Sequence, residues 1–318
     1  MSSLAVALCA APLILPLHRS RIARAINRRL LPALVRRAAR RLGLRGPILW
    51  AYVPQAEVLI DALQPSLIIY HCVDDIAAQD RIDTASFRAA EERFAARADL
   101  VLASAPALAS RLRRISENVL FAPNVADTEL FSHALEPGPL DSGMAALATP
   151  RIVFTGAIVA LKLDLPLLAE LARLRPDWSF ALVGPVGPGE PNADISAITA
   201  VANIHLLGPR SYAELPDVLR AAAAGLIPYA RNALTESIFP MKVYEYLAAG
   251  LPVVATPLPA LADLADVATA RDPQGMAELL DDALSDGDQA RRAERSRAAA
   301  SHSWDRRLEE IAAAIDAL

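Results

Sequence analysis

Cysteine is scarce in this chain: Cys9 and Cys72 are the two among 318 residues. Two thiols cannot build a disulfide framework or, alone, a four-ligand zinc site, and a reducing compartment suits them. Long apolar runs are missing as well. The longest, Leu4–Leu17, falls short of the ~20 residues that a spanning helix needs, and Pro12 and Pro16 interrupt it. No basic residue precedes it, so a secretory leader is not expected. A net charge of -4 lacks the basic footprint of a nucleic-acid binder. There is no Gly-x-Ser-x-Gly elbow, no Walker loop and no Cys–His nucleophile pattern. His18, His133, His205 and His302 have no ligand spacing, and no metal site is expected. Neither a short-period repeat nor a low-complexity tract occurs. Lysine is nearly absent too: of 32 basic residues only Lys162 and Lys242 are lysines.

Against these absences stands ample material for a core. The chain is 54% apolar and 21% charged, which excludes wholesale disorder. At roughly 100–200 residues per domain the length suggests two.

Charge is unevenly placed. Residues 1–56 hold Arg19, Arg21, Arg24, Arg28, Arg29, Arg36, Arg37, Arg40, Arg41 and Arg45 and no acid before Glu57. Ile22, Ile26, Leu30, Leu34, Ala38 and Leu42 recur every four residues, the spacing of a helical stripe, kinked or divided near Pro32. Two readings stand: a basic amphipathic surface for anionic lipid, or a helix packed on a sheet with its arginines solvated.

The remainder alternates strand and helix. Short apolar runs at 47–53, 67–70, 99–103 and 118–121 are separated by helical stretches such as 84–97 and 105–114. Residues 134–150, rich in turn formers, read as a linker. The alternation resumes with strands at 151–155, 179–183, 203–206, 224–227, 252–255 and 266–269. Helices are expected at 164–174, 212–222, 240–249, 274–284, 288–300 and 303–317. Continuous apolar strands between helices imply parallel sheets buried on both faces. The fold class is α/β, two doubly wound Rossmann-like domains facing across a cleft. The boundaries are 1–133, linker 134–150, 151–302 and a final helix 303–318. In such folds ligands sit at the carboxyl ends of the strands.

The stretch from Thr235 to Thr256 carries the most chemistry. Pro240 suits a first helical turn, Ser237 is placed to help cap it, and Gly250 suits the left-handed C-terminal position. The free N–H groups of that helix start would suit a phosphate. Lys242 and Glu245, three apart, share a face. The ammonium can neutralise phosphate, and the carboxylate can accept from the two adjacent hydroxyls of a ribose. The plain alternative is a surface Lys–Glu pair. A chain that uses arginine almost everywhere has kept lysine here, and the two cations are not interchangeable at a tight anion site. Lys162 lies in the loop after the first strand of this half, where Gly156 permits a sharp turn. Both lysines are expected to face one diphosphate.

The segment Phe239-Pro-Met-Lys-Val-Tyr-Glu-Tyr-Leu-Ala-Ala-Gly-Leu-Pro-Val-Val-Ala-Thr-Pro-Leu-Pro259 resembles the donor-site signature of group 1 glycosyltransferases of the GT-B fold, the branch that builds bacterial cell-surface polysaccharides. The likeness extends through the Gly156 loop, Trp178–Pro185, His205–Pro209 and Ile69–Asp75. It implies transfer of a sugar from a nucleotide diphosphate sugar to a hydroxyl acceptor, a carbohydrate or a lipid-linked one, with retention and without metal or other cofactor. By position, Glu245 would hold the ribose, and Glu236, Ser237, Ile238 and Phe239 would line the sugar-phosphate loop with Gly156. Lys242 and Lys162 would flank the diphosphate, and His71 would stand near the reacting sugar. Asp74 and Asp75 would meet the acceptor, or else cap a helix and solvate a loop. The first domain would be the acceptor side, the second the nucleotide-sugar side, and the last helix would cross back to the first domain. Relatives open with a strand, a Gly-bearing loop and a helix; none is found ahead of Leu4–Leu17, so the first domain is expected to be shortened. The expected place is the cytoplasm, at the inner face of the membrane. Two alternatives stand beside this: a nucleotide-sugar epimerase on the same fold, and a non-catalytic scaffold in a polysaccharide assembly complex.

Overall fold

The computed structural model describes residues 21–78, 82–188, 194–264, 266–285 and 288–318. The Leu4–Leu17 run, Cys9, His18 and Arg19 lie outside them. The chain forms two compact units, one of Met1–Ala103 with Ala109–Leu120, the other of Ser104–Leu108 with Phe121–Leu318.

In the first unit α1 (Arg21–Arg41) runs as one helix through Pro32. It is followed by β1 (Ile48–Ala51), α2 (Glu57–Leu63), β2 (Leu67–Cys72), α3 (Thr84–Ala95), β3 (Leu100–Ala103), α4 (Pro106–Leu112) and β4 (Val119–Phe121). The sheet order is β1-β2-β3-β4, with β1 parallel to β2 and β2 parallel to β3. Every residue of β3 is buried, as an apolar strand in a parallel sheet requires. Asp83 caps α3 by accepting from the Ser86 N–H at 3.1 Å, the ordinary role of Asp at a helix start. One carboxylate, Glu91 on α3, is buried in this core with 1% exposure. It accepts from the Tyr70 hydroxyl at 2.8 Å and from Arg88 at 3.1 Å, and it is ion-paired with Arg111. Such pairing is what makes a buried charge tolerable.

The second unit holds α5 (Thr128–Ser132), α6 (Ser142–Ala145), β5 (Arg151–Thr155), α7 (Leu165–Leu174), β6 (Ser179–Val183), α8 (Ser196–Thr199) and β7 (Ile204–Leu206). Then come α9 (Leu215–Arg220), β8 (Ala224–Ile227), α10 (Lys242–Ala248), β9 (Val253–Ala255), β10 (Val267–Thr269), α11 (Pro273–Ser285), α12 (Gln289–Ala299) and α13 (Trp304–Asp316). The sheet order is β10-β9-β8-β5-β6-β7, all pairs parallel. The chain builds outward from β5 through β6 and β7, then crosses to the other side of β5 for β8. The strand order therefore reverses between β5 and β8, and in open α/β sheets the ligand crevice lies beyond the carboxyl ends of the strands at that switch.

Three expectations need correction. The first unit closes at Leu120, so residues 121–150 belong to the second unit instead of dividing at 133 into a domain and a linker. The 134–150 stretch is anchored: Ala134 and Met144 are buried, Asp141 caps α6 from the Met144 N–H at 2.9 Å, and Arg210 bonds Asp141 at 2.6 Å. Turn-rich composition marked a change of direction, not a free tether. The 212–222 helix is divided into a 3-10 turn at Tyr212–Glu214 and the short α9. Among the described residues no helix is long and apolar enough to cross a membrane.

Candidate active site

Gly156 directly follows β5 with φ of +128°, a conformation that glycine adopts without steric cost. Its N–H donates to the Val183 carbonyl at 2.8 Å. A Cβ on Gly184 would stand 1.9 Å from the Gly156 oxygen, so the loops after β5 and β6 touch backbone to backbone. The same loop is stitched onward: Ile158 N–H donates to Pro185 at 2.9 Å, and Ala230 N–H to Lys162 at 2.8 Å. The loops after β5, β6 and β8 thus form one bonded rim at the switch point.

α10 lies against that rim because Tyr246 pins it. The Tyr246 hydroxyl is fully buried and accepts from the Thr155 N–H at 2.7 Å. Gly225 makes room, since a Cβ there would fall 2.3 Å from the Tyr246 ring. One turn earlier, on the same side of α10, Lys242 reaches the rim. Its Nζ lies 3.4 Å from the Tyr229 hydroxyl, 5.3 Å from the Phe154 ring centre and 5.9 Å from that of Tyr229. Among the described residues it forms no ion pair, and Glu245 is not its partner. The aromatic faces hold the cation weakly, by ~0.5–1 kcal/mol each, and leave it available to an anion.

Glu245 is buried, with 8% exposure. Burial pushes its carboxyl above the ordinary range while the Lys242 ammonium pulls the other way. Its carboxylate has no hydrogen bond or ion pair among the described residues. A desolvated acid with unused acceptors beside a cation is a candidate functional group.

The loop before α10 differs from expectation. The helix begins at Lys242, with Met241 at its N-cap and no side-chain cap bond. Pro240 precedes the helix and Ser237 does not cap it, because Thr235–Ser237 close their own 3-10 turn and Ile238 is extended at φ -108°, ψ 143°. Ser237 is buried, Ile238 half-buried and Phe239 buried. Phe239 stacks on Tyr244 at 5.3 Å, which occupies its ring. The N–H groups of Phe239, Met241 and Lys242 find no acceptor among the described residues. Glu236 is turned toward Arg231, 3.7 Å away, with nearly half its side chain exposed. Lys162 is half-buried, and its ammonium has no hydrogen bond or ion pair among the described residues. The two lysines border one segment, Lys162 through its carbonyl to Ala230 and Lys242 through its amine to Tyr229.

In the first unit His71, on β2, is half-buried. The Trp50 Nε1–H donates to its Nδ1 at 3.4 Å, and the Tyr52 ring lies 5.0 Å from the imidazole. Burial lowers the pKa of His71 to about 4. The ring is thus neutral at pH 7, with its proton on Nε2. Asp75 bonds Arg88 at 2.6 Å, and its Oδ1 is buried without a donor. The Asp74 carbonyl accepts from the Ile76 N–H at 3.0 Å.

Four participants had no signal in the sequence. Tyr229 after β8, Thr155 at the end of β5 and Trp50 within β1 carry no mark of their own until the sheets bring them beside Lys242, Tyr246 and His71. Asn124 donates its side-chain amide to the Phe239 carbonyl at 3.1 Å across 115 positions. No local pattern encodes such a pairing.

The second unit, with Lys242 at the rim of its strand-order reversal, is similar to known proteins. Residues 149–286 match the family described as Glycosyl transferases group 1, which supports placing this part of the chain in that family. The chain is similar to the "Putative teichuronic acid biosynthesis glycosyltransferase TuaH" of Bacillus subtilis (strain 168), 32% identical over 225 residues. That likeness takes in 66% of this chain and 55% of the relative, so the chain matches little more than half the relative's length. Among solved structures it is similar to Anabaena Alr3699/HepE in complex with UDP and glucose, with TM-score 0.69 and 18% identity over 96% of this chain and 84% of that one. Sucrose-phosphate synthase from Thermosynechococcus elongatus gives TM-score 0.66 and 17% identity over 94% and 80%. The α,α-trehalose 6-phosphate synthase of Burkholderia multivorans gives 0.70 and 14% over 94% and 77%. These likenesses show the fold, the α/β fold of the GT-B glycosyltransferases.

Proposed function

We propose that this protein transfers a sugar from a nucleotide diphosphate sugar to a hydroxyl acceptor, as a step in building cell-surface polysaccharide or glycolipid. The observation that carries the reading is the Lys242 ammonium, held at the β5–β8 switch point by Tyr229 and Phe154 and without a carboxylate partner among the described residues. Glu245 takes the ribose hydroxyls, and Lys162, Gly156 and the main chain of 237–239 border the diphosphate. Glu236 has a lesser part, since it faces Arg231. The UDP in the complex of the HepE structure makes uridine the first nucleotide to try.

When the sugar–phosphate bond breaks, negative charge grows on the bridging oxygen. The Lys242 ammonium stabilises that charge where it develops, with no reorganisation needed at the moment of reaction. In a retaining transfer the acceptor hydroxyl attacks from the face of the leaving group, and the departing phosphate takes its proton. His71, neutral and carrying its proton on Nε2, donates a hydrogen bond near the reacting sugar and is not the base. Asp74 and Asp75 are assigned to the acceptor side, with Asp75 fixed by Arg88. Resemblance supports retention and independence from metal or other cofactor. The acceptor is a carbohydrate or a lipid-linked one, met in the cytoplasm at the inner membrane face.

The test uses the purified full chain. UDP is titrated by calorimetry, and donor turnover is followed with and without lipid-linked and carbohydrate acceptors. The expected result is UDP binding and acceptor-dependent release of UDP, with Lys242→Ala lowering kcat/KM about 100-fold or more. Conversion of donor alone to another sugar nucleotide would establish an epimerase instead. UDP binding with no turnover on any acceptor would favour a scaffold.

A further inference from the structure

The first part of the expected apolar stripe of α1 is not packed away, whereas Leu34 and Ala38 are half-buried. Ile22 is 74% exposed, Ile26 39% and Leu30 44%. At 3.6 residues per turn, these three share one side of the helix with Arg29, Arg36, Arg37, Arg40 and Arg41, and all five arginines are exposed. The opposite side, through Leu31, Leu34, Val35 and Ala38, is half-buried, and α1 packs on α2. The outer face is thus apolar in its first half and basic in its second. Ala33, Arg36, Arg37, Arg40 and Arg41 line one open depression. The helix contains no acidic residue, so nothing on it neutralises those guanidinium groups.

We propose that this face of α1 docks on an anionic phospholipid surface. The depression at Arg36–Arg41 takes headgroup phosphates, which planar guanidinium groups bind in two-pronged fashion, while Ile22, Ile26 and Leu30 enter the acyl boundary. A helix with basic and aliphatic portions on one face matches a surface that is anionic outside and apolar beneath. Nucleic acid supplies the phosphates but no layer for three aliphatic side chains. The inference adds to the proposed function the surface on which a lipid-linked acceptor is met. Lipid binding can be read whether or not transfer occurs.

The experiment is sedimentation of the full chain with vesicles of phosphatidylcholine alone and with about a third phosphatidylglycerol, at low and high salt. Co-sedimentation is expected with the anionic vesicles and should fall at high salt. A variant carrying Arg36→Gln, Arg37→Gln, Arg40→Gln and Arg41→Gln should lose about tenfold or more of the vesicle affinity. Ile22→Ser with Ile26→Ser should weaken binding while leaving its salt dependence. Unchanged UDP affinity in both variants shows that the fold is kept. Equal binding to both vesicle types, or to neither, would overturn the proposal. So would a dimer, seen by sizing chromatography, that the same substitutions dissolve without changing lipid binding, since the face would then belong to a second copy.

Discussion

The ammonium of Lys242 lies 3.0 Å from the point that a Cβ on Gly156 would occupy, and its Cε lies 3.2 Å from it. The loop that follows β5 and helix α10, far apart in sequence, meet there so closely that a methyl group would have to push the lysine end aside.

Gly156→Ala tests that contact. The new methyl would meet the end of the lysine chain, which can swing, but φ of +128° costs an L-residue ~1–3 kcal/mol. The variant should melt several degrees lower, at ~2–4 °C per kcal/mol for a domain of this size. With Lys242 displaced, kcat/KM for donor should fall as well. Calorimetric melting and steady-state kinetics check both; normal kinetics in a destabilised variant would detach the lysine position from function.

Glu245 gives a prediction in pH. Its carboxyl is raised above the ordinary range by burial, so the folded state holds its proton more tightly than the unfolded chain does. Its contribution to stability is full below the unfolded value, ~4.3, and is lost as pH rises through the raised folded value. Glu245→Gln should therefore gain stability relative to the native chain as pH rises toward neutrality, and the difference should vanish in acid. UDP affinity should move the opposite way. The native protein needs the ionised acid to accept ribose hydroxyls, so its affinity should fall as pH drops through the raised value, while the Gln variant stays weak and flat. A pH series of melting and titration calorimetry reads both.

For His71, Trp50→Phe keeps the ring and removes the indole N–H that fixes the imidazole tautomer. The native ring, depressed to about 4 by burial, should show a neutral Nε2–H pattern in 15N spectra from pH 7 down to about 5. The variant should show mixed tautomers with the fold intact, and its kcat should fall more than its KM rises. Unaltered 15N shifts would dismiss Trp50 as the positioning group. Because the folded pKa lies below the unfolded value of ~6.5, burial of neutral His71 contributes stability that is lost as pH falls from 6.5 toward 4.

Much of the fold was legible. Among the described residues each of the ten strands falls within one or two residues of an apolar run bounded by turn formers, as at Leu100–Ala103 and Val253–Ala255. Strand and helix existence follows from local periodicity, and a parallel sheet buried on both faces leaves continuous apolar strands as its trace. Boundaries were less legible. Pro240 suited a first helical turn, but the 3-10 turn at Thr235–Ser237 and extended Ile238 delayed the helix to Lys242. Residues 134–150 read as a tether because turn formers do not reveal that Met144 is buried and that Arg210 holds Asp141.

The sequence by itself determined the α/β alternation, the rarity of lysine and the falling of both lysines in one half of the chain, Lys162 in the loop after its first strand and Lys242 beside the start of a helix. Only the tertiary structure decided that β8 crosses to the far side of β5, so that Tyr229 rather than Glu245 receives the Lys242 amine. It likewise decided that the Ile22–Leu30 stripe stays in water while its opposite side packs on α2. The physical reason is common to both. Periodicity fixes which side chains share a face of their own element, but which partner that face meets depends on strand order and packing between distant segments, and neighbours in the chain do not encode either.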